Sequence, residues 1–404
     1  MNRLFTFATA GVVSVLALQM ARPANGQREV YGHRYIMRAV FSPDKKFVAS
    51  SNSDGSVTLW DVSIALPEPD PKDPDAPYQF GVWTKAVFTT YGPTPESAPI
   101  SFSADGKEVY VLIHGKDIYP PPPLPGKVTK DANKFPISTS IVVVLGSSDG
   151  KELRRFDVVP AGDCLFCHDG KHLLSADRSK FYFWDLAGGK LIRTLDAEGG
   201  LSGFGILDIS ADGKRALGCD LNYLIGNKGK GEFPLREWDL ANGKQFKLKH
   251  GDKALSLVWP GYWSDAESVL CLRDEDEVFW DARKGKVAPI SPKLAKSLKP
   301  EGLLFYARKN GPLPMSPDGT LIFASDERSE ILDARTGNVV AEFPVAFKSL
   351  TPHFSSDSKQ LLLYGTSQGS PVLLLWNVAD KRFERVLAYP GPTWPAELLT
   401  KKKK

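Results

Sequence analysis

The sequence predicts an all-β chain in which one unit of four short antiparallel strands is repeated seven times. Three observations support this prediction: a stretch that recurs along the chain, a turn signature at the start of each copy, and an aromatic signature near the end of most copies. The composition agrees, because 35 glycines and 31 prolines among 404 residues suit a chain of hairpins better than a helical protein.

The recurring stretch is clearest at residues 41–62, where the sequence reads FSPDKKFVASSNSDGSVTLWDV. Such repetition decides the architecture before any local pattern does, because each copy is one structural unit that packs on its neighbours. Further copies begin at Phe102, Phe166, Ile209, Trp263, Met315 and Phe354. We therefore expect seven units.

The turn signature is a hydrophobic residue, then usually Ser, then Pro, Ala or Ser, then Asp, often followed by Gly and Lys. The residue before Asp suits the first centre of a turn, Asp can hydrogen-bond its own backbone, and Gly accepts the left-handed conformation. The signature therefore predicts a hairpin between the first and second strands of each unit.

The aromatic signature is most often Trp-Asp, followed about three residues later by Gly-Lys or Gly-Asn. An apolar run of period two ends at the aromatic residue, and Asp and Gly favour a second hairpin. The aromatic position holds Trp60, Trp184, Trp238, Trp280 and Trp376, and it holds Leu145 and Leu332 in the second and sixth copies.

With these two signatures the chain resembles the WD-repeat (WD40-like) β-propellers, in particular exported members of bacterial type, from about Glu29 to Ala388. The resemblance implies a seven-bladed β-propeller of four-stranded antiparallel blades. We place this domain at residues 27–390.

The resemblance also implies a structural set of hydrogen bonds within a blade. In the first copy the set consists of His33, Ser50, Asp54 and Trp60. The Gly-His pair that begins the set does not return at this place in later copies, so the boundaries of individual blades depart from the family pattern.

Residues 1–26 predict a secretory signal peptide. Arg3 precedes a mostly apolar run at residues 8–18, which is too short to span a bilayer, and residues 24–26 form a small-residue cleavage site. We therefore expect an exported chain, periplasmic or extracellular, without a transmembrane segment after signal removal. A retained N-terminal anchor is the alternative.

The charge balance argues against nucleic acid as a partner. Removal of the signal peptide takes away Arg3 and Arg22, which lowers the formal charge from +4 to +2, whereas non-specific nucleic-acid binding needs a dense basic face. Residues 391–404 form a tail that contains Pro and ends in four lysines at 401–404. We interpret this cluster as solvated, with an anionic-surface tether as the alternative, and we expect a monomer.

Two segments are able to complete the last blade. Glu29–Tyr31 precedes the first unit and is able to pair with the last blade, as in a ring closed by both ends of the chain. Arg382–Ala388 follows Trp376 and is able to form the fourth strand of that blade by itself. Closure matters because an open ring leaves sheet edges that can pair with other chains.

Long insertions interrupt the second and fourth units, between their second and third strands, at His114–Pro136 and Asn222–Pro234. A third, Leu66–Tyr78, follows Trp60. Long loops on a rigid scaffold often carry function, so we assign partner binding to the first two. The candidate residues are cations and aromatics: Lys116, Tyr119, Lys127, Lys130, Lys134, Tyr223, Lys228 and Lys230.

The sequence Cys164-Leu165-Phe166-Cys167-His168 matches a c-type haem attachment motif. Alignment of the copies gives another explanation, because Cys167 occupies the Ser position and His168 the variable position of the turn signature. His168 and His172 supply too few ligands for a metal. We therefore expect no cofactor and no metal.

These observations favour a non-catalytic scaffold that binds another protein or an envelope polymer, because no catalytic motif stands out and fold alone does not fix function. The alternatives are a lactonase-like or glycan-active hydrolase with its site at the channel mouth, and a redox propeller with haem. A hydrolase requires titratable residues from at least three blades within a few ångströms of one another.

Overall fold

The computed structural model describes part of the chain, in ranges separated by gaps. These are residues 36–53, 55–63, 81–86, 99–114, 139–159, 163–177, 180–196, 204–210, 213–220, 236–247, 249–250, 253–254, 258–262, 268–272, 277–281, 286–289, 315–325, 329–343, 350–367 and 370–388. Within these ranges all regular secondary structure consists of β-strands, and every strand pair is antiparallel. The all-β prediction is confirmed for these residues. The predicted signal peptide and the tail lie outside them.

The first three sheets each contain four strands in sequence order. Sheet 1 contains β1 (Ile36–Phe41), β2 (Phe47–Asn52), β3 (Ser56–Asp61) and β4 (Gly81–Ala86). Sheet 2 contains β5 (Ile100–Phe102), β6 (Glu108–His114), β7 (Ser140–Gly146) and β8 (Glu152–Val158). Sheet 3 contains β9 (Asp163–Phe166), β10 (His172–Ala176), β11 (Lys180–Asp185) and β12 (Lys190–Asp196).

The next two sheets are separated by a small hairpin that the sequence did not predict. Sheet 4 contains β13 (Phe204–Ile209), β14 (Arg215–Asp220), β15 (Arg236–Asp239) and β16 (Gln245–Lys247). The hairpin consists of β17 (Lys249–His250) and β18 (Lys253–Ala254). Sheet 5 contains β19 (Val258–Tyr262), β20 (Ser268–Leu272), β21 (Glu277–Asp281) and β22 (Lys286–Pro289).

The last two sheets differ in size. Sheet 6 contains β23 (Leu321–Ser325), β24 (Ser329–Asp333) and β25 (Val339–Phe343). Its expected first strand is represented, among the described residues, by a single bridge between Met315 and Ile322. Sheet 7 contains β26 (Thr351–Phe354), β27 (Gln360–Ser367), β28 (Ser370–Asn377) and β29 (Arg382–Ala388).

A serine closes the first hairpin of sheets 1, 2, 6 and 7. In sheet 1, Ser42 Oγ donates a hydrogen bond to Asp44 at 2.6 Å and accepts one from the backbone N–H of Phe47 at 3.0 Å. The serine donor lowers the pKa of Asp44. Equivalent pairs of bonds recur at Ser103, Ser316 and Ser355. The aspartate is thus held by the serine before it.

The hairpin before the last strand of several sheets contains one residue with left-handed backbone. This residue is normally glycine: Gly150, Gly189, Gly243 and Gly337. In sheet 7 the corresponding residue is Lys381, with φ of 51°. A side chain in this conformation costs about 1–2 kcal/mol, because Cβ approaches the following carbonyl oxygen.

Replacing Lys381 by Gly is therefore expected to stabilise the protein by about 0.5–1 kcal/mol, since roughly 0.4–1 kcal/mol of the relief is lost to the greater freedom of glycine in the unfolded chain. Urea unfolding measures the change. Lys381→Ala is the matched control: it removes the lysine but keeps Cβ, so it should bring no gain. Equal stabilities of the Gly and Ala variants would contradict the explanation.

In four described pairs, neighbouring sheets pack face to face across one apolar layer. Leu173 of β10 faces a cluster shared with sheet 2, whereas the next residue, Leu174, faces a cluster shared with sheet 4. This alternation follows the period of two along a strand, and it explains why the inner strands are hydrophobic at nearly every position. Similar layers join sheets 1 and 2 and sheets 6 and 7.

Three signature tryptophans pack against the preceding sheet. Trp184 packs with residues of sheet 2, Trp238 with residues of sheet 3, and Trp376 with residues of sheet 6. Trp60 in sheet 1 is only 1% exposed, while its neighbour Leu59 belongs to the layer shared with sheet 2. Because successive residues point to opposite faces, the face of sheet 1 that carries Trp60 is also covered.

Sheets 7 and 1 contact each other at their first turns and along their first strands. Lys45, in the first turn of sheet 1, forms an ion pair with Asp357 in the first turn of sheet 7. The rings of Phe41 and His353 lie 6.2 Å apart, centroid to centroid. We call this set of contacts the 7–1 interface.

A repeated arginine joins the fourth strands of sheets 2 and 3 to the next sheet. Arg154 of β8 donates to the carbonyl oxygen of Leu186 in sheet 3 at 3.3 Å, and Arg193 of β12 donates to that of Leu240 in sheet 4 at 3.2 Å. Both follow the left-handed glycine by four positions, as Arg385 follows Lys381. Burial lowers the pKa of Arg385, and the carboxylates of Glu384 and of Asp61 in sheet 1 oppose that shift. Arg385 therefore occupies the same repeat position near sheet 1 that Arg154 and Arg193 occupy near the sheets that follow theirs.

One of the two segments considered for completing the last sheet has a defined place. Arg382–Ala388 is β29, which pairs with β28 from Leu373↔Ala388 to Asn377↔Arg382. Glu29–Tyr31 lies outside the described residues.

Candidate functional site

The two long insertions begin at the same end of sheets 2 and 4. One connects β6 to β7, the other β14 to β15, and each joins the second and third strands of its sheet. The first turns of sheets 2, 3 and 4 contact one another: a Cβ atom on Gly170 would lie 2.7 Å from the backbone nitrogen of Ala104, and one on Gly213 would lie 3.6 Å from Asp169. The second connections of these sheets therefore lie together at the opposite end.

The residues assigned to partner binding all fall inside these insertions and outside the described residues. They are Lys116, Tyr119, Lys127, Lys130, Lys134, Tyr223, Lys228 and Lys230. The assignment remains a prediction, and the described strands fix only the points where the insertions begin and end.

Sheet 3 lies between the two insertions and has a tight hairpin at the same end. Asp177 Oδ1 accepts a hydrogen bond from the backbone N–H of Lys180 at 2.7 Å, and its other oxygen accepts one from the Tyr182 hydroxyl at 2.7 Å. Asp177 thus connects the two strands that flank this short connection, which lies between the two insertions.

The starting points of the insertions carry buried polar groups. At the end of β6, His114 Nδ1 lies 3.4 Å from the hydroxyl of the buried Ser140, and burial lowers the pKa of His114. In sheet 4, Arg236 and Glu237 follow the insertion directly and are each 6% exposed. Glu237 forms an ion pair with Arg215 at 3.2 Å. Buried polar groups of this kind restrict the strands from which the loops project.

Two members of the predicted hydrogen-bond set are described. The indole N–H of Trp60 donates to Ser50 Oγ at 3.0 Å, with both groups buried. His33 and Asp54 lie outside the described residues. Sheet 3 repeats the described pair, since the indole N–H of Trp184 donates to Ser175 Oγ at 2.9 Å. The complete four-residue set stays a prediction.

The two cysteines of the haem-like motif belong to different apolar layers. Cys164 packs in the layer between sheets 2 and 3, and Cys167 in the layer between sheets 3 and 4. Both are free thiols less than 10% exposed, and burial raises the pKa of Cys167. Sulfur atoms on opposite faces of one sheet are not placed to bind the same haem.

Two histidines that are distant in sequence interact at the inner edge of the sheets. His353 lies on β26, and its pKa is lowered to about 4, chiefly by burial and then by His168 of sheet 3 and Arg38 of sheet 1. The sequence signalled no relation between these residues, because their repeat positions differ.

Two features, a metal-binding cluster and a membrane-spanning helix, are absent from the described residues. No group of three or more His, Cys, Asp or Glu residues there is arranged to hold a metal ion. No helix in that part of the chain is long and apolar enough to cross a membrane.

Comparison with protein-family models gives one match. Residues 26–61 match the model described as "WD domain, G-beta repeat". This range includes all four residues of the predicted set, His33, Ser50, Asp54 and Trp60. The match supports a WD-repeat family, whose repeats typically act in protein interaction. No curated protein matches the chain.

Proposed function

We propose that this protein is an exported, closed seven-bladed propeller of WD-repeat type, and that it is a non-catalytic scaffold for another protein or an envelope polymer. The observation that carries the proposal is the position of the two long insertions. Both begin at the same end of sheets 2 and 4, on either side of the connection in sheet 3 where Asp177 accepts a hydrogen bond from Lys180. Loops held apart by a rigid support are well suited to binding.

The contacts between sheets 7 and 1 support the closed ring. They include the Lys45–Asp357 ion pair in the turns and the proximity of Arg385 to Asp61 at the outer strands. The same arginine position joins consecutive sheets elsewhere, as at Arg154. A ring without free faces leaves loops and edges as the surfaces available to a partner.

The composition of the insertions indicates the partner's chemistry. Residues 115–138 contain four lysines and two aspartates, and residues 221–235 contain two lysines and one glutamate. Tyr119 and Tyr223 add aromatic groups, which often dominate the binding energy of an interface. We propose a partner surface that is acidic and presents apolar contacts for these tyrosines.

Shortening both insertions tests the binding face. Residues 115–138 and 221–235 are each replaced by a four-residue turn, the length that separates β20 from β21. The variant should remain folded by circular dichroism and should no longer co-purify the partner that the full chain captures from an envelope fraction. Removal of residues 66–78 is the matched control and should leave capture intact. Unchanged capture by the shortened variant would place the binding site elsewhere.

Export has its own test. Expression of the full chain, followed by fractionation and mass measurement, should yield a periplasmic or extracellular protein that begins at Gln27. A protein that retains residues 1–26 and stays with the membrane would favour an N-terminal anchor. A protein confined to the cytoplasm would contradict export without affecting the binding-face proposal.

A further inference from the structure

The 7–1 interface differs from the other interfaces in how the chain connects its two sheets. The four strands of sheet 7 are consecutive in sequence, and so are those of sheet 1. Among the described residues no strand pairs across from one of these sheets to the other. Within the described part of the chain, sheets 7 and 1 are therefore joined through side-chain contacts, whereas consecutive sheets are also joined through the chain.

The contacts at the inner edge of this interface surround one histidine. His353 of β26 packs on the ring of Phe41 of β1 at 6.2 Å. The charged or titratable groups that act on it are Arg38 of β1 and His168 in the first turn of sheet 3. On β27, which pairs with β26, Tyr364 also interacts with Arg38. A positive charge on His353 would be added near the guanidinium of Arg38, which already disfavours it.

We propose that His353 makes the 7–1 interface an acid-sensitive closure, which opens on mild acidification while the other sheet interfaces remain packed. Opening leaves sheets 1 and 7 each packed on one face only. Such sheets exchange their amide protons more readily than sheets packed on both faces. This acid-sensitive closure concerns the ring alone, so it does not depend on the proposed partner-binding function.

The direction of the pH effect follows from the protonation states. The pKa of His353 is about 4 in the closed ring, against an ordinary value of 6.5. Between these values the open form binds a proton that the closed form excludes, so closure weakens as the pH falls from about 6.5 to about 4. Partial burial acts to raise the pKa of Asp357, but hydrogen bonds from Lys45 and Ser355 lower it to about 2, so its ion pair persists through this window.

Hydrogen-exchange mass spectrometry of the full chain tests the proposal. Protection factors are measured at pH 7 and pH 5 for β1, β2, β27 and β28, with β10 and β11 of sheet 3 as the internal reference. From pH 7 to pH 5 we expect protection in sheets 1 and 7 to fall by on the order of tenfold more than in the reference. An equal fall in all three sheets would overturn the proposal.

Variants identify the responsible group. His353→Gln keeps a hydrogen-bonding side chain but cannot take up a proton, so the extra loss of protection at pH 5 should disappear. His172→Gln, in sheet 3, should behave as the wild type. Persistence of the extra loss in His353→Gln would overturn the assignment.

Asp357→Asn provides a second measurement if His353→Gln does not fold. It removes the Lys45 ion pair, so it should lower protection in sheets 1 and 7 at both pH values while keeping the tenfold pH response. No change in those sheets would show that the interface does not limit their opening, and would also overturn the proposal.

Discussion

Trp238→Ala is expected to lower the free energy of unfolding by about 3–5 kcal/mol, the range for truncating a buried Trp in a packed core. Trp238 is fully buried between sheets 3 and 4. Its ring meets that of Phe181 edge to face, with centroids 4.6 Å apart and an interplanar angle of 85°. The substitution removes the largest side chain of that layer, and the surrounding strands cannot close the space without breaking their hydrogen bonds.

Urea unfolding of Trp238→Ala, Phe181→Ala and the double variant measures both the loss and the coupling. The edge-to-face pair should contribute about 0.5–1.5 kcal/mol beyond the buried area, so the two losses should not add. Trp238→Phe is the conservative control and should cost less than the alanine variant. A loss below about 1 kcal/mol for Trp238→Ala would contradict the packing described for this layer.

The strand pattern was accessible from the sequence because its determinants are local. Ser42, Asp44 and the backbone N–H of Phe47 define a hairpin through contacts within six positions, and this signature recurs along the chain. The same reasoning placed the insertions between the second and third strands of sheets 2 and 4, as the structure has them. It did not predict the small hairpin β17–β18 or the reduction of the first strand of sheet 6 to a bridge.

The contacts between sheets were not accessible in this way. Arg154 and Arg193 are visible as a repeat, but their partners are backbone carbonyl oxygens of the next sheet, which every residue possesses. The interaction of His353 with His168 joins different positions of two distant repeats, so alignment of the copies does not reveal it. The ion pair of Lys45 with Asp357 likewise joins the first turns of two distant repeats.

The candidate binding residues depend on the sequence for a different reason. Lys116 and Tyr223, for example, were chosen for their chemistry and for the length of their loops, and a long loop has few contacts that its sequence would fix. The described strands determine where the loops start, because the second strands of sheets 2 and 4 end at His114 and Asp220. The scaffold could be predicted from the repeats, whereas the binding chemistry follows only from composition.

The buried ion pair of sheet 4 gives the second large effect. Arg215 and Glu237 have side chains 15% and 9% exposed, and their charged atoms lie 3.2 Å apart. Arg215→Met should cost on the order of 3 kcal/mol, because it leaves a carboxylate buried without its partner. The comparison is Arg155→Met: Arg155 pairs with Glu152 on the surface, with side chains 50% and 31% exposed, and its loss should cost about 0–1 kcal/mol.

A rescue distinguishes the charge from the shape of the arginine. Adding Glu237→Leu to Arg215→Met removes the stranded carboxylate and should restore most of the stability, since a buried pair replaced by apolar residues of similar volume is often neutral. The single variant should also lose less stability at acidic pH than at neutral pH, because protonation removes the buried charge of Glu237. Urea unfolding at two pH values measures both effects. If the double variant is as unstable as Arg215→Met, the loss reflects packing of the arginine stem rather than its charge.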